Sequence, residues 1–160
     1  MPNYHPGLLF TKFGSALTSL LLVLVASYAQ AFHLLSFGGV NPNAAPIAFL
    51  ALSFFESNVL ILMAAFFVMS FFLFSPFWWP ELLWLTLALA ATLFIKVFFS
   101  WRGFPRALLS MILFTIFTFV LLERLRFLQS ADLLILELLL NCLLGGFLFF
   151  LFSVLKQSER

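Results

Sequence analysis

A run of twenty residues near the C-terminus, LLILELLLNCLLGGFLFFLF (133–152), constrains the fold more than any other feature of the sequence. A membrane-spanning helix needs roughly 20 apolar residues to cross about 30 Å of hydrocarbon. Similar apolar runs recur along the chain, which is 64% hydrophobic and only 9% charged. Soluble domains carry about 25% charged residues. The sequence therefore predicts an integral membrane protein with an all-α fold.

The apolar runs predict a polytopic bundle of six transmembrane helices in a single domain, residues 1–160, with a short second helix. The approximate spans are 13–37, 44–55, 59–77, 82–99, 106–122 and 133–155. The second span, AAPIAFLALSFF, follows GGVNPNAAP, where glycine, asparagine and proline break helices. Two alternatives are open for it. It is either a short span with a locally thinned bilayer or one half of a re-entrant hairpin.

The positions of lysine and arginine favour six crossings over five. Short cytoplasmic loops are enriched in these residues. With six crossings and the N-terminus inside, the outer side keeps only Arg124 and Arg126. The cytoplasmic side receives Lys12, Lys96, Arg102, Arg106, Lys156 and Arg160. We therefore expect a multi-pass protein with both termini in the cytoplasm.

The first span also has features of a signal peptide. Residues 17–31 end in Ala29-Gln30-Ala31, which has the small-residue pattern of a cleavage site. The chain remains apolar beyond this point, through residues 32–37. We therefore expect a retained first helix.

Glu137 and Asn141 lie four residues apart and share one face of the last helix. Asn141 is too deep for solvent, so its amide must hydrogen-bond another helix or a partner. Gly145 extends the same face by one turn and permits close helix approach. Glu137, nearer the outer end, is expected to reach interfacial water or to pair with Arg124 or Arg126. These residues predict a contact seam between helices, within this chain or with a partner.

Two other polar residues have structural interpretations. Glu56 precedes the predicted third span, and carboxylates are favourable at helix N-termini. We expect it to cap that helix. His33 lies near the end of the first span and is expected to be hydrogen-bonded within the structure.

The sequence carries no catalytic constellation. It has no HExxH motif, no Gly-rich phosphate loop and no Ser/His/Asp grouping. Its formal charge of +2 is too small and too scattered to indicate nucleic-acid binding. We expect a protein that is not an enzyme and that uses no cofactor or metal.

The C-terminal sequence LLLNCLLGGFLFFLFSVLKQSER (138–160) resembles that of the bacterial rod shape-determining protein MreD family. In that family the last helix carries an asparagine, small residues, an apolar stretch and a basic tail. Asn141, Gly145, Gly146 and Lys156 stand at the corresponding positions here. SFGGVNPNAAPIAFLAL (36–52) also resembles the family's first outer loop, where a proline leads into a short second span. The sequence departs at VMSFFLFSPFWWP (68–80), with phenylalanine near the place of a family aspartate.

The resemblance implies a non-catalytic inner-membrane subunit of the cell-wall elongation machinery that determines cell shape. Its expected partners are membrane lipid and a bitopic MreC-like protein and, through that protein, RodA, a penicillin-binding protein and MreB. Asn141, Gly145 and Glu137 are then candidate contacts for a partner helix. Arg124 and Arg126 are candidate contacts for a partner's outer domain.

Two other functions are compatible with the sequence. One is the substrate-binding subunit of an energy-coupling-factor-type importer of a vitamin or metal, which needs a polar pocket near the outer face. The residues that could line it are His33, Asn41, Asn43, Gln129, Glu137 and Asn141. The other is an accessory subunit of a different membrane complex.

Overall fold

The computed structural model describes residues 6–38, 40–73, 83, 85–92, 103–122 and 131–157. Within these ranges the fold is all-helical, as predicted. The helices are α1 (Pro6–Ala31), α2 (Ala44–Ser53), α3 (Val59–Leu73), α4 (85–92), α5 (Phe104–Leu122) and α6 (Ala131–Gln157). Each predicted span overlaps one of them.

Two of the described helices are long and apolar enough to cross a membrane. They are the Gly14–Ala31 part of α1, with a mean hydropathy of 1.5, and Asp132–Gln157 of α6, with 2.4. The apolar segments of α2, α3 and α5 within the described residues are shorter. The predicted helical class is therefore confirmed, and length and hydropathy establish two candidate crossings.

The short helix α2 lies at the centre of the bundle. All ten of its residues are buried, and it packs against α1, α3, α5 and α6. Among the described residues, α1 packs mainly on α3, and α5 packs mainly on α6. The sequence of α2, AAPIAFLALS, is rich in alanine, which allows neighbouring helices to approach closely. α2 thus joins two helix pairs.

The first helix ends at Ala31 rather than at the predicted Phe37. The N–H of Leu34 donates to the Ala29 carbonyl at 2.9 Å, and that of His33 donates to the Gln30 carbonyl at 3.1 Å. His33 is left-handed, with a φ of 55°. These bonds form a Schellman motif, whose left-handed position is usually glycine. Histidine stands there and the chain stays apolar, so no local residue pattern marked this helix end.

Replacing His33 with glycine is expected to stabilise the fold. A side chain makes the left-handed conformation unfavourable, and glycine adopts it at little cost. We expect His33→Gly to raise the free energy of unfolding by about 0.5–1 kcal/mol, measured by thermal unfolding in mild detergent. His33→Ala, which keeps a Cβ, should give no such gain. Equal effects of the two substitutions would contradict this account of the helix end.

The turn between α2 and α3 (residues 54–58) is fastened to the end of α6. Asn58 Oδ1 accepts the N–H of Leu60 at 3.0 Å and so caps α3. Glu56 Oε1 accepts the N–H of Asn58 at 2.8 Å, and Glu56 Oε2 accepts from Lys156 Nζ at 3.0 Å. The expectation that Glu56 caps α3 is therefore wrong. Asn58 is the cap, and Glu56 ties the turn to α6.

This ion pair makes stability depend on pH. Burial raises the pKa of Glu56, but the N–H groups of Asn58 and Ser57 and the Lys156 ammonium together outweigh burial and lower that pKa below its usual value. A carboxyl group with a lowered pKa in the folded state contributes stability that is complete above its unfolded pKa, about 4.3. That contribution is lost as the pH falls through the folded pKa.

We expect Glu56→Gln to cost about 1–2 kcal/mol at neutral pH, because the charged hydrogen bond to Lys156 is lost while an acceptor for Asn58 remains. The difference in thermal midpoint between the parent chain and Glu56→Gln should shrink as the pH is lowered below about 4. Lys156→Gln leaves the Asn58 N–H bonded to Glu56, so as the matched control it should lose part of the same acid dependence. A difference that stays constant down to acidic pH would contradict the role of this pair.

Candidate functional site

The start of α2 lies inside the protein, beside the middle of α6. The N–H of Asn43 donates to Asn141 Oδ1 at 2.9 Å, and Asn141 is fully buried. The first N–H groups of any helix lack partners within the helix. Away from water they must be satisfied by other parts of the protein. A helix that begins here therefore requires acceptors from its neighbours.

The remaining N–H groups at the start of α2 are also satisfied. The N–H of Ala44 donates to the Pro42 carbonyl at 2.8 Å. The N–H of Ala45 donates to Gln30 Oε1 at 2.9 Å. The next residue, Pro46, has no N–H to satisfy. One side chain of α1 and one of α6 thus complete the hydrogen bonding of this helix end.

Asn141 connects three helices. Its Oδ1 accepts from the start of α2, and its Nδ2 donates to Thr115 Oγ1 of α5 at 3.0 Å. Thr115 Oγ1 in turn donates to the Met111 carbonyl at 2.9 Å. The prediction that Asn141 hydrogen-bonds another helix is confirmed. The groups that it bonds belong to the same chain.

Glu137 lies one turn before Asn141 on α6 and is partly buried. Its Oε1 accepts from Asn43 Nδ2. Asn43 is therefore bound to α6 through both its backbone and its side chain. The predicted alternative partners, Arg124 and Arg126, lie outside the described residues.

The loop before α2 is also tied to α1. Asn41 Nδ2 donates to the Gln30 carbonyl at 2.9 Å, while the Gln30 side chain binds the start of α2.

Sequence reasoning did not select Gln30 or Thr115. The sequence feature that could have indicated such partners was the short apolar segment that follows residues 41–43, Asn-Pro-Asn. A helix of ten residues is too short to cross the hydrocarbon, so acceptors for its ends had to come from neighbouring spans.

Gly145 allows α6 to approach α5 and α2. A Cβ at this position would overlap Met111 Sδ and would lie 3.2 Å from Ile47 Cγ2. The prediction of close helix approach at Gly145 is confirmed, and both contacted helices lie in this chain. At the adjacent Gly146 a Cβ would, among the described residues, meet only the Phe104 ring, at 3.7 Å, an ordinary contact.

The candidate partner-binding residues therefore separate into three groups. Asn141 and Gly145 are enclosed by α2 and α5, and Glu137 is bonded to the loop before α2. Arg124 and Arg126 lie outside the described residues. The enclosed groups are amides, a hydroxyl and backbone donors, and their arrangement fixes where a short helix begins. Partner binding by this set stays a prediction.

A cavity of about 190 Å³ lies at the opposite end of α2. It is lined by Phe55, Ser153, Lys156 and Gln157. An importer's substrate pocket was expected near the outer face, among residues such as Asn41 and Asn43. In the structure those two asparagines bond α1 and α6.

No protein-family model, curated protein or solved structure matches the chain significantly.

Proposed function

We propose that the chain is a non-catalytic, multi-pass subunit of the bacterial inner membrane with six crossings. In this proposal it serves the cell-wall elongation machinery by binding a bitopic MreC-like protein. The observation that carries the proposal is the enclosure of α2, whose polar ends are bound by side chains of the same chain. In this proposal these polar groups fix the position of α2, and the bundle serves as a scaffold for other membrane proteins.

The two ends of α2 support a short crossing over a re-entrant hairpin. The start of α2 is bound to Asn141, and the turn after it is bound to Lys156. These two residues of α6 lie about 22 Å apart along the helix axis at 1.5 Å per residue. The chain therefore travels alongside α6 from one end of α2 to the other. In a re-entrant hairpin, by contrast, the chain would return to the side of the membrane from which it entered.

The same geometry explains why so apolar a segment contains Glu137 and Asn141. The ten residues of α2 extend about 15 Å, roughly half of the hydrocarbon thickness. The rest of the crossing falls to the non-helical residues before α2. Irregular backbone at this depth is tolerated only where protein groups satisfy it. Asn141 and Gln30 supply those groups. A proline that leads into a short second span is also a feature of the MreD family, which the sequence resembles.

The enclosure of Asn141 and Gly145 changes how they would affect partner binding. Neither can touch a second protein directly, so in this proposal both act by setting the position of α6. Direct contact falls to Glu137, Arg124 and Arg126 at the outer end and to the exposed apolar face of α6. That face comprises Ile135, Leu139, Leu143, Phe147, Phe150 and Val154. It suits lipid chains and an apolar partner helix.

The test is to purify the tagged full-length chain from its native membrane in mild detergent and to identify the proteins that accompany it. We expect a single-span protein with a coiled-coil outer domain, together with wall-synthesis enzymes. Arg124→Glu should reduce recovery of that protein, because it reverses a charge in the predicted outer loop. Arg124→Lys retains the charge and should leave the recovery unchanged.

Two results would contradict the proposal. Recovery of paired ATPases with a coupling subunit would indicate an importer, and the outer polar residues would then be examined for ligand contact. Recovery of an unrelated membrane assembly without wall-synthesis proteins would make the chain an accessory subunit of that assembly.

A further inference from the structure

We propose that the loop of residues 32–37, which follows α1, inserts into the outer boundary of the hydrocarbon and binds the acyl chains of lipid there. This lipid contact requires that α1 and α6 cross the bilayer, as in the proposed function. It adds a lipid-binding surface on a non-helical segment, which the proposed function does not require.

The 32–37 loop exposes large apolar side chains. Phe37 is 68% exposed and Leu34 is 64% exposed, although neither lies in a helix. Phe32 and Leu35 are exposed as well. Contiguous apolar surface of this kind marks an interaction site for protein or for membrane. The depth of the loop and the surface that adjoins it favour membrane.

The position of Gly38 against α6 gives the depth of the loop. A Cβ at Gly38 would lie 3.0 Å from Leu136 Cδ2, so the chain passes directly beside Leu136. Leu136 and Lys156 lie about 30 Å apart along α6 at 1.5 Å per residue, which matches the hydrocarbon thickness of about 30 Å. Lys156 is charged and bound to Glu56, and cationic side chains near a helix end reach the membrane interface. The loop therefore lies level with the opposite, outer boundary.

The exposed face of α1 leads directly into the loop. Leu21, Val25 and Tyr28 are exposed and recur at intervals of three and four residues, which places them on one face of the helix. Phe32 continues this face, and its ring centroid lies 4.4 Å from that of Tyr28. A helix that crosses the membrane presents such a face to lipid, which is as apolar as leucine. The same lipid therefore reaches Phe32 and the loop beyond it.

Most N–H groups of the loop are bonded within the chain. The N–H of Ser36 donates to the His33 carbonyl at 3.2 Å, and that of Phe37 donates to the Val40 carbonyl at 2.9 Å. The N–H groups of residues 32–34 donate to carbonyls at the end of α1. Because lipid offers no hydrogen bonds, this internal bonding lowers the cost of placing a non-helical segment against it. The polar side chains of His33 and Ser36 suit a boundary position, where headgroups and water are within reach.

The experiment measures the depth of the loop with a nitroxide label on the full-length chain, in vesicles of phosphatidylethanolamine and phosphatidylglycerol. In a Cys142→Ser background, Phe37→Cys or Leu34→Cys provides the labelled thiol. Val25→Cys, on the exposed face of α1, is the reference for lipid. Ser57→Cys, exposed in the turn after α2, is the reference for water. At each position the collisions of the nitroxide with oxygen, which concentrates in lipid, are compared with its collisions with a water-soluble nickel chelate.

We expect the ratio of oxygen to nickel collisions at Phe37→Cys and Leu34→Cys to be several-fold higher than at Ser57→Cys and to approach that at Val25→Cys. A ratio equal to that at Ser57→Cys would place the loop in water and overturn the proposed lipid contact, while the crossings would stand. Low collision rates with both reagents would show that protein, such as a second copy of this chain, covers the loop, and would also overturn it. If Val25→Cys itself reports water, α1 does not cross, and the proposed crossings fail together with the lipid contact.

Discussion

Asn141→Leu is expected to lower the free energy of unfolding by about 2–4 kcal/mol, because a buried backbone donor loses its acceptor and two helix contacts lose a hydrogen bond. For a chain of this length that corresponds to a fall of about 4–16 °C in the thermal midpoint. Thermal unfolding in mild detergent, followed by circular dichroism, measures it. The size of the effect depends on the full burial of Asn141.

Two control variants show which hydrogen bond of Asn141 causes the loss of stability. Thr115→Val removes the acceptor of Asn141 Nδ2 but leaves the bond to the Asn43 N–H, so it should cost about 1 kcal/mol. Leu139→Ala, on the exposed face of α6, should change stability by no more than about 0.5 kcal/mol. If Asn141→Leu behaves like Leu139→Ala, the assignment of Asn141 as the acceptor for α2 is wrong.

Gly145→Val is expected to cost about 3 kcal/mol because a side chain at this position overlaps the fully buried Met111 and crowds Ile47. Gly146→Val is the matched control on the neighbouring residue. In the part of the chain that the structure describes, its Cβ meets only the Phe104 ring, at ordinary distance, so its cost should be about 1 kcal/mol or less. The same unfolding measurement compares the two.

A double substitution shows whether Met111 is the cause. Met111→Ala alone opens a cavity in the core and should itself be destabilising. Combined with Gly145→Val it should cost less than the sum of the two single changes, by about 0.5–3 kcal/mol. Strict additivity would show that the tight approach at Gly145 does not govern the packing of α6 on α5.

Much of the helical architecture follows from the sequence. Runs of apolar residues interrupted by turn-forming residues predicted α5 and α6 to within two residues at each end. The spacing of Glu137, Asn141 and Gly145 predicted a contact face, and each of the three meets a neighbouring part of the chain. The physical reason is that helix periodicity is a local property, visible in any single segment.

The partners of those residues could not be predicted in the same way. Asn141 bonds residues 98 positions and 26 positions away, and a sequence pattern on one helix does not specify which helices face it. Glu56 shows the same limit, because the helix that it anchors is α6 and the cap of α3 is Asn58. The end of α1 was missed because histidine occupies a position where glycine is the usual signal.

The short helix α2 lies alongside α6, with its start held near Glu137. Cross-linking in the native membrane tests it most directly, with a short bifunctional thiol reagent in the Cys142→Ser background. Asn43→Cys combined with Glu137→Cys should cross-link, since these side chains are in contact. Asn43→Cys combined with Leu139→Cys should not, because Leu139 is 57% exposed on another face of α6. Efficient cross-linking of the Leu139 pair, with none for the Glu137 pair, would contradict the account.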